Sequence, residues 1–311
     1  MLNEVLPRFA VLLAAYNGSM WIKEQIDSIL KQDNVSVTIF ISIDISTDET
    51  GKYLEELYCV ENRIVILDGV ERFGGAAKNF FRLIRDVDFS EFDYVAFADQ
   101  DDIWFSDKLL CATQMLGQTS SYGYSSNVLA FWEDGNEKLV VKSQKQCKYD
   151  YLFEAAGPGC TYVMKKLLVL QIKENLVANW QDINSVGLHD WYCYAYARAN
   201  GYKWVIDENP SMMYRQHSHN QVGVNHGWKA FEYRCKKIFT GWGISQSALI
   251  ARLVGMGNSK FVKIWSGSNR LGTLRLALYA NQCRRKNKEK ILFFFACVIM
   301  SIIRIKVEGK K

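Results

Sequence analysis

Three carboxylates fall within four residues at Asp99-Gln100-Asp101-Asp102, directly after the apolar run Tyr94–Ala98. Carboxylates this close repel one another, and burying them unpaired costs free energy. A divalent cation relieves both problems, and hard oxygen ligands select Mg²⁺ or Mn²⁺. Mg²⁺ usually takes only one or two protein carboxylates and completes its shell with substrate phosphates. The cluster therefore points to a diphosphate-bearing ligand, against the alternative of a solvated acidic turn. Asp44, within Ile43-Asp44-Ile45-Ser46-Thr47-Asp48-Glu49-Thr50, could accept from the imide N–H of a uracil or thymine. Helix capping by Ser46 or Thr47 competes with that reading but leaves Asp44 unexplained. Asp190 stands just before the amphipathic stretch Trp191–Ala199, as a helix cap or as a general base taking a proton from a hydroxyl. In Arg215-Gln216-His217-Ser218-His219-Asn220, the Arg215 fork suits phosphate. His217 and His219 point opposite ways in an extended chain, so they do not form a two-histidine metal site.

These residues need elements to hold them. Phe9–Ala14 is a continuous apolar run suited to a strand buried on both faces. Ile22, Ile26, Ile29 and Leu30 then follow helical spacing between about Ser19 and Gln32. A strand at Val35–Ile43, a helix from Asp48 to about Cys59, a strand at Ile64–Leu67, a helix lined by Phe80, Phe81, Leu83, Ile84 and Val87, and a strand at Tyr94–Ala98 continue the alternation. That pattern predicts βαβ units and an open, mostly parallel sheet with helices on both faces. Ligands of such sheets bind at the carboxyl ends of the strands, which is where Ala14–Asn17, Asp44–Asp48 and Asp99–Asp102 fall. Residues 120–227 read as a mixture, with strands at Val128–Phe131, Tyr162–Met164 and Lys203–Ile206 and helices at Lys165–Val177 and from Asp190. Beyond Trp228 the pattern is helical and basic.

Composition narrows the classes. The 311 residues are 49% hydrophobic and 23% charged, which gives a packed core and excludes wholesale disorder. The eight cysteines contain no Cys-x-x-Cys pair, so zinc-ribbon, iron–sulfur and dense disulfide readings fail. No G-x-G-x-x-G follows the first strand and no Walker loop is present. The net charge of +5 conceals an asymmetry: residues 228–311 carry +15 and residues 1–227 carry −10. A basic C-terminal quarter on an acidic body implies an anionic surface as partner, nucleic acid or membrane. Phe9–Ala15 is short for a signal-peptide core and runs into the turn Tyr16-Asn17-Gly18. The thirteen residues of the run Ile291–Ile303 reach roughly 20 Å as a helix, short of the roughly 30 Å a bilayer core requires.

In order and spacing, several segments resemble bacterial glycosyltransferase family 2, in particular its rhamnosyltransferase-like branch from cell-surface polysaccharide synthesis. The carriers are Ala14-Ala15-Tyr16-Asn17-Gly18, Gln25-Ile26-Asp27-Ser28-Ile29, Ser46-Thr47-Asp48, Phe97-Ala98-Asp99-Gln100-Asp101-Asp102-Ile103-Trp104 and Arg215-Gln216-His217…Asn220…Val222-Gly223. The resemblance spans residues 8–224 and implies a GT-A-type nucleotide-sugar sheet over 1–227, followed by a helical C-terminal extension over 228–311. It implies a donor site at Ala14, Tyr16, Asn17, Asp44, Arg72, Asn79, Asp99, Gln100 and Arg215, with Tyr16 and Asp44 on the base and Asp99 near the ribose. By the same resemblance Asp101, Asp102 and His217 would hold Mg²⁺ or Mn²⁺, and Asp190 would be the catalytic base. The acceptor would lie against Trp104, Gly159, Cys160, His189 and Trp191. Two departures stand out. Ile43 and Ile45 flank Asp44 where family members commonly show Asp-Asp-Gly-Ser, and His189 precedes Asp190 where they show Glu.

The expected reaction is a single displacement with inversion, from dTDP-rhamnose or a UDP-hexose to a hydroxyl of a growing, lipid-linked glycan of O-antigen or capsule type. Arg284, Arg285, Lys286, Lys288 and Lys290 precede the apolar run, with Arg304 and Lys306 after it. Residues 284–311 are therefore expected to seat the protein on an anionic membrane, peripherally at the cytoplasmic face of the inner membrane. Nucleic acid is not an expected partner, because the pocket-forming region is acidic. A catalytically inactive relative acting as a subunit or scaffold is the alternative that Ile43 and Ile45 raise. A nucleotidyltransferase would want a Gly-rich phosphate loop that Ala15-Tyr16-Asn17-Gly18 does not supply.

Overall fold

The first apolar run forms β1 (Arg8–Ala15), and its alternate side chains feed two separate cores. Phe9, Val11 and Leu13 join Ile26 and Ile29 of α1 (Ile22–Leu30) and Leu109 and Leu116 of α4 (Lys108–Gln118). Ala10 and Leu12 join Phe80, Phe81 and Ile84 of α3 (Ala76–Asp86) on the opposite face. Side chains alternate across a strand with period two, so a strand apolar at every position needs helices on both faces. Each buried Leu, Ile or Phe contributes about 1.5–3 kcal/mol through burial. This computed structural model describes residues 6–69, 72–217, 240–267 and 270–303.

Four strands run parallel in the order β3-β2-β1-β4, with β2 at Ser36–Ile43, β3 at Ile64–Ile66 and β4 at Tyr94–Ala98. Helix α2 (Thr50–Tyr58) connects β2 to β3. The register pairs Ala15 with Ile43 and Leu13 with Ala98, so Tyr16, Asp44 and Asp99 leave the sheet along one edge. Beyond β4 the sheet turns mixed. β8 (Val163–Lys165) is antiparallel to β4, β6 (Gly123–Phe131) is antiparallel to β8, and β9 (Trp204–Arg215) is parallel to β6. β5 (Ile103–Trp104) and β7 (Glu137–Val140) add to β9 and β6. Helices α5 (Lys166–Ala178), α6 (Trp180–Ile183) and α7 (His189–Ala199) follow β8.

Strand β9 is much longer than the expected Lys203–Ile206. The turn-like Asp207-Glu208-Asn209-Pro210 is absorbed by register shifts against Ser126 and Asn127 rather than ending the strand. Asn127 Nδ2 donates to the Glu208 carbonyl at 2.6 Å, holding the bulge. That continuation carries Arg215 to the acidic turn.

The boundary expected at 227/228 falls among residues outside those described. The helices Trp242–Leu253, Lys260–Trp265, Arg270–Ala277, Ala280–Cys283 and Asn287–Ile303 pack into the same core as α3, α5 and α7, with Ile250, Trp265, Leu276 and Cys297 buried there. Among the described residues, no helix is long and apolar enough to cross a membrane. Arg284 and Arg285 correct the expected membrane strip. Arg285 is 2% exposed and pairs with Asp150 (3.4 Å) and Glu154 (3.6 Å). Arg284 pairs with Glu289 at 3.7 Å and donates to the Phe153 carbonyl at 2.7 Å. Both arginines fasten the C-terminal helices to the body instead of facing a bilayer. Arg304 and Lys306 lie outside the described residues.

Candidate active site

The edge formed by β1, β2 and β4 is organised from its loops upward. Gln100 lies against the end of β1, its Oε1 accepting from Tyr16 N and its Nε2 donating to the Tyr16 carbonyl, both at 2.8 Å. This amide mimics a further rung of sheet pairing and leaves the Tyr16 ring half exposed. A Cβ on Gly18 would come within 2.3 Å of Gln100 Oε1, so glycine permits the approach. Asn17 adopts φ +47°, a conformation Asn tolerates better than most residues. Its Oδ1 accepts from Thr47 N at 2.7 Å and its N–H donates to Ser46 Oγ at 3.0 Å. Ser46 and Thr47 therefore pin the β1 turn and do not cap α2. Asp48 meets the start of α2 instead, accepting from Thr50 N at 3.1 Å.

Asp44 is buried and accepts from three backbone amides: Ile45 (2.8 Å), Phe73 (3.0 Å) and Gly74 (2.9 Å). It thus anchors the loop that carries the exposed Arg72 to the strand edge. Asn79 Nδ2 bridges the carbonyls of Ser42 (2.9 Å) and Ala15 (3.4 Å), tying β2 to β1. Ala14, half-buried near the end of β1, packs against the core on the α3 side. Ile45, on the far side of Asp44, is exposed.

The acidic turn divides into an outer and an inner half. Asp101 Oδ2 lies 2.7 Å from His217 Nε2, and the His217 ring stacks on Trp21 at 4.1 Å. Arg215 holds the turn, with Nε donating to the Asp101 carbonyl (2.8 Å) and the backbone N–H donating to Asp102 Oδ1 (3.1 Å). Its guanidinium also pairs with Glu24. Arg215 thus braces the turn from the end of β9. Asp102 points inward and is fully buried, and its Oδ2 has no hydrogen-bond partner among the described residues. Ligating atoms of Asp99, Asp102 and the buried Cys160 all lie within 4.8 Å of one another. Burial and the charges of Asp101 and Asp190 push Asp99 up to about 7. Burial, then Asp101 and Asp99, hold Asp102 well above the carboxylate range.

One cation beneath this floor escaped the sequence reading. Lys108 is fully buried, donates to the Cys160 carbonyl at 2.8 Å and sits 4.2 Å over the Trp104 ring. Burial pushes its ammonium down to about 8. Nothing in Ser106-Asp107-Lys108-Leu109 distinguishes it from a solvated lysine at a helix start.

The opposite wall comes from α7. Asp190 sits in the first turn of that helix, and its Oδ1 accepts from Trp191 N at 2.7 Å. Burial pushes its carboxyl up to about 6. A Cβ on Gly159 would lie 2.8 Å from His189 Nε2 and 3.1 Å from Asp190 Cβ, so the Gly157-Pro158-Gly159 loop presses directly on the helix start. His189 stacks on Phe80 at 3.9 Å, and burial lowers its imidazole to about 3, leaving it neutral. Trp104, Cys160 and Trp191 differ from their expected place. They are at most 5% exposed, and the Trp191 indole donates to the Tyr151 carbonyl at 3.0 Å. They back the cleft rather than line it.

Asp99 joins the two walls, since its carboxyl feels the charges of both Asp101 and Asp190. The fold and this edge define a nucleotide-sugar glycosyltransferase of the GT-A type. Residues 7–154 match the family described as "Glycosyltransferase like family 2". The chain is 43% identical over 288 residues to the dTDP-rhamnosyl transferase RfbG of Shigella flexneri, covering 92% of this chain and 99% of that protein. It is 27% identical over 165 residues to the UDP-Glc:alpha-D-GlcNAc-diphosphoundecaprenol beta-1,3-glucosyltransferase WfgD of Escherichia coli, covering 51% of this chain and 61% of that one. Among solved structures, a fragment of S. aureus TarS in complex with UDP-GlcNAc has a TM-score of 0.55 at 14% identity, over 97% of this chain and 90% of that one. The mannosyltransferase PcManGT of Pyrobaculum calidifontis, in complex with GDP-Man and Mn²⁺, has a TM-score of 0.52 at 15% identity, over 96% and 88%. This chain belongs to glycosyltransferase family 2, in its rhamnosyltransferase-like branch.

Proposed function

We propose that this protein transfers rhamnose from dTDP-rhamnose, with inversion, to a hydroxyl of a growing lipid-linked surface glycan. A UDP-hexose is the donor that competes with this assignment. The observation that carries the reading is the pairing of an ion-ready outer half, Asp101 with His217, with a single raised carboxyl on the facing wall, Asp190. The close likeness to RfbG supports the choice of sugar.

The donor set fits a divalent cation. Asp101 and His217 offer a carboxylate oxygen and an imidazole nitrogen 2.7 Å apart, and Asp102 keeps an unpartnered buried oxygen behind them. Mg²⁺ or Mn²⁺ held there would supply positive charge to a bound diphosphate. Tyr16, Asn17, Asn79 and the Asp44-anchored loop with Arg72 shape the nucleotide side. Asp190 takes the proton of the acceptor hydroxyl as its oxygen bonds to the anomeric carbon. The bond from that carbon to the diphosphate breaks in the same step, and the nucleoside diphosphate leaves. One base and one displacement give inversion. A carboxyl near 6 is well matched to general-base work at neutral pH. Gly159 and His189 flank the base and form the acceptor side.

Attachment to an anionic membrane face belongs to the same proposal, through residues other than Arg284 and Arg285. Leu271, Leu274, Leu278, Ile291, Phe295 and Ile302 are exposed apolar side chains on the C-terminal helices. Flotation with anionic liposomes should fall when Ile291 and Phe295 become Ser, and unchanged flotation contradicts the attachment. The enzymatic reading is tested by incubating the protein with a panel of dTDP- and UDP-sugars and Mn²⁺ and following nucleoside diphosphate release. Release greatest from dTDP-rhamnose is expected, and release from none of the panel overturns it.

A further inference from the structure

One face of α1, with the residue just before it, reaches across to the acidic turn and the end of β9. Trp21, Glu24, Gln25 and Ser28 follow three- and four-residue steps, which places them on a common side of the helix. Ser28 Oγ accepts from Trp104 N at 3.0 Å. Gln25 is fully buried, and its side-chain amide links the Asp102 carbonyl to the Trp104 indole. Glu24 pairs with the Arg215 guanidinium. Trp21 lies flat on His217, with ring centroids 4.1 Å apart and planes inclined by 20°.

The backbone holds Trp21 in place as well. The N–H groups of Trp21 and Ile22 both donate to the Gly18 carbonyl, at 3.1 and 3.0 Å. Gly18 N in turn donates to Thr50 Oγ1 at 2.9 Å, and Gly18 itself abuts the Gln100 amide too closely for a Cβ. The Trp21 ring is therefore presented from a turn already seated against the acidic cluster. An imidazole ligates through a lone pair in its ring plane, so whatever sets the plane sets the direction of ligation. Here the plane fixed by Trp21 carries Nε2 to 2.7 Å from Asp101 Oδ2. A side chain ordered in advance loses little further freedom when it binds. Outer partners that orient a metal-bound histidine are worth about 10- to 100-fold in affinity.

We infer that Trp21 is a positioning residue for the divalent ion, its ring holding His217 in the orientation that ligates beside Asp101. Glu24 and Gln25, on the same helix face, steady Arg215 and the Asp102 backbone around that position. Trp21 acts on the ion through His217 and not by general support of the fold. This rests on the reading above that places the ion at Asp101 and His217, and the binding it predicts is measured without turnover.

The test is titration of the full chain with Mn²⁺ at one fixed dTDP concentration, free Mn²⁺ being read by electron paramagnetic resonance. Trp21→Leu should weaken Mn²⁺ binding by at least about tenfold. It should keep the wild-type melting temperature and the wild-type affinity for dTDP measured without metal. Trp21→Phe, which retains a ring, should stay within about threefold of the wild type. In a His217→Ala background, Trp21→Leu should cost nothing further, because no imidazole is left to orient. Wild-type Mn²⁺ affinity in Trp21→Leu overturns the inference. So does an equal loss with and without His217, which would make Trp21 a support of the fold alone. Should Trp21→Leu lower the melting temperature, Trp21→Met carries the same comparison, since it keeps apolar bulk without a ring plane. Failure of the ion assignment shows separately, as a wild type that binds no Mn²⁺, and it removes this inference too.

Discussion

His217 Nε2 lies 2.7 Å from Asp101 Oδ2 although 116 residues separate them in the chain. The contact exists because β9 continues past its bulge to Arg215, which grips the acidic turn at the Asp101 carbonyl and the Asp102 carboxylate. The contact brings the end of β9 onto the acidic turn after β4.

On the proposed reading, turnover depends on a divalent ion held at Asp101 and His217. EDTA should abolish nucleoside diphosphate release, and added Mn²⁺ or Mg²⁺ should restore it. His217→Ala should weaken Mn²⁺ binding by at least about tenfold, on the scale at which changes at metal sites act. Titration of Mn²⁺ in the presence of dTDP checks this, and wild-type affinity in the variant excludes His217 from the site.

The pH dependence has a definite sign. The proposed base, Asp190, acts only when ionised, and burial pushes its carboxyl up to about 6. Transfer should therefore fall as pH drops through about 6 and level off above it. Single-turnover rates from pH 4.5 to 8 would show the limb, and a rate unchanged across that range contradicts the assignment.

Gly159→Ala isolates the base from the donor site. The new Cβ would lie 2.8 Å from His189 Nε2 and 3.1 Å from Asp190 Cβ, so the start of α7 must shift. A misplacement of about 1 Å can cost about a hundredfold in rate. kcat should fall by about ten- to a hundredfold, with dTDP affinity unchanged by calorimetry.

Asp150 governs stability rather than chemistry. It is fully buried and receives Arg198, Arg285 and the Tyr194 hydroxyl. Removing one partner of a buried pair costs about 3–5 kcal/mol, so Asp150→Ala should lower the urea midpoint strongly. Asp182→Ala, which breaks an exposed pair with Arg252, should leave it close to wild type.

The strands and helices of the first hundred residues were legible because their apolar spacing follows sheet and helix periods directly. β1, β4 and the polar cluster after each needed no tertiary information. β9 was read short because Asp207-Glu208-Asn209-Pro210 is local turn chemistry, and only its pairing with β6 overrides it. Side-chain roles were less legible than positions. Spacing placed Arg215 and Asp44 but did not show that one braces the acidic turn and the other anchors the loop at Phe73 and Gly74. Arg284 and Arg285 looked like a membrane strip, because sequence shows their charge and not the Asp150 and Glu154 that neutralise it. Lys108 carries no local signal, since its burial arises only from packing of distant segments.

The central claim is that Asp190 takes the acceptor proton across a cleft from the Asp101 position. It is tested most directly by Asp190→Asn, assayed for sugar transfer and, by calorimetry, for dTDP-rhamnose binding with Mn²⁺. General-base groups contribute about 10²–10⁴-fold, so transfer should fall by at least about a hundredfold with donor affinity within about twofold of wild type. Transfer at the wild-type rate in that variant would contradict the account.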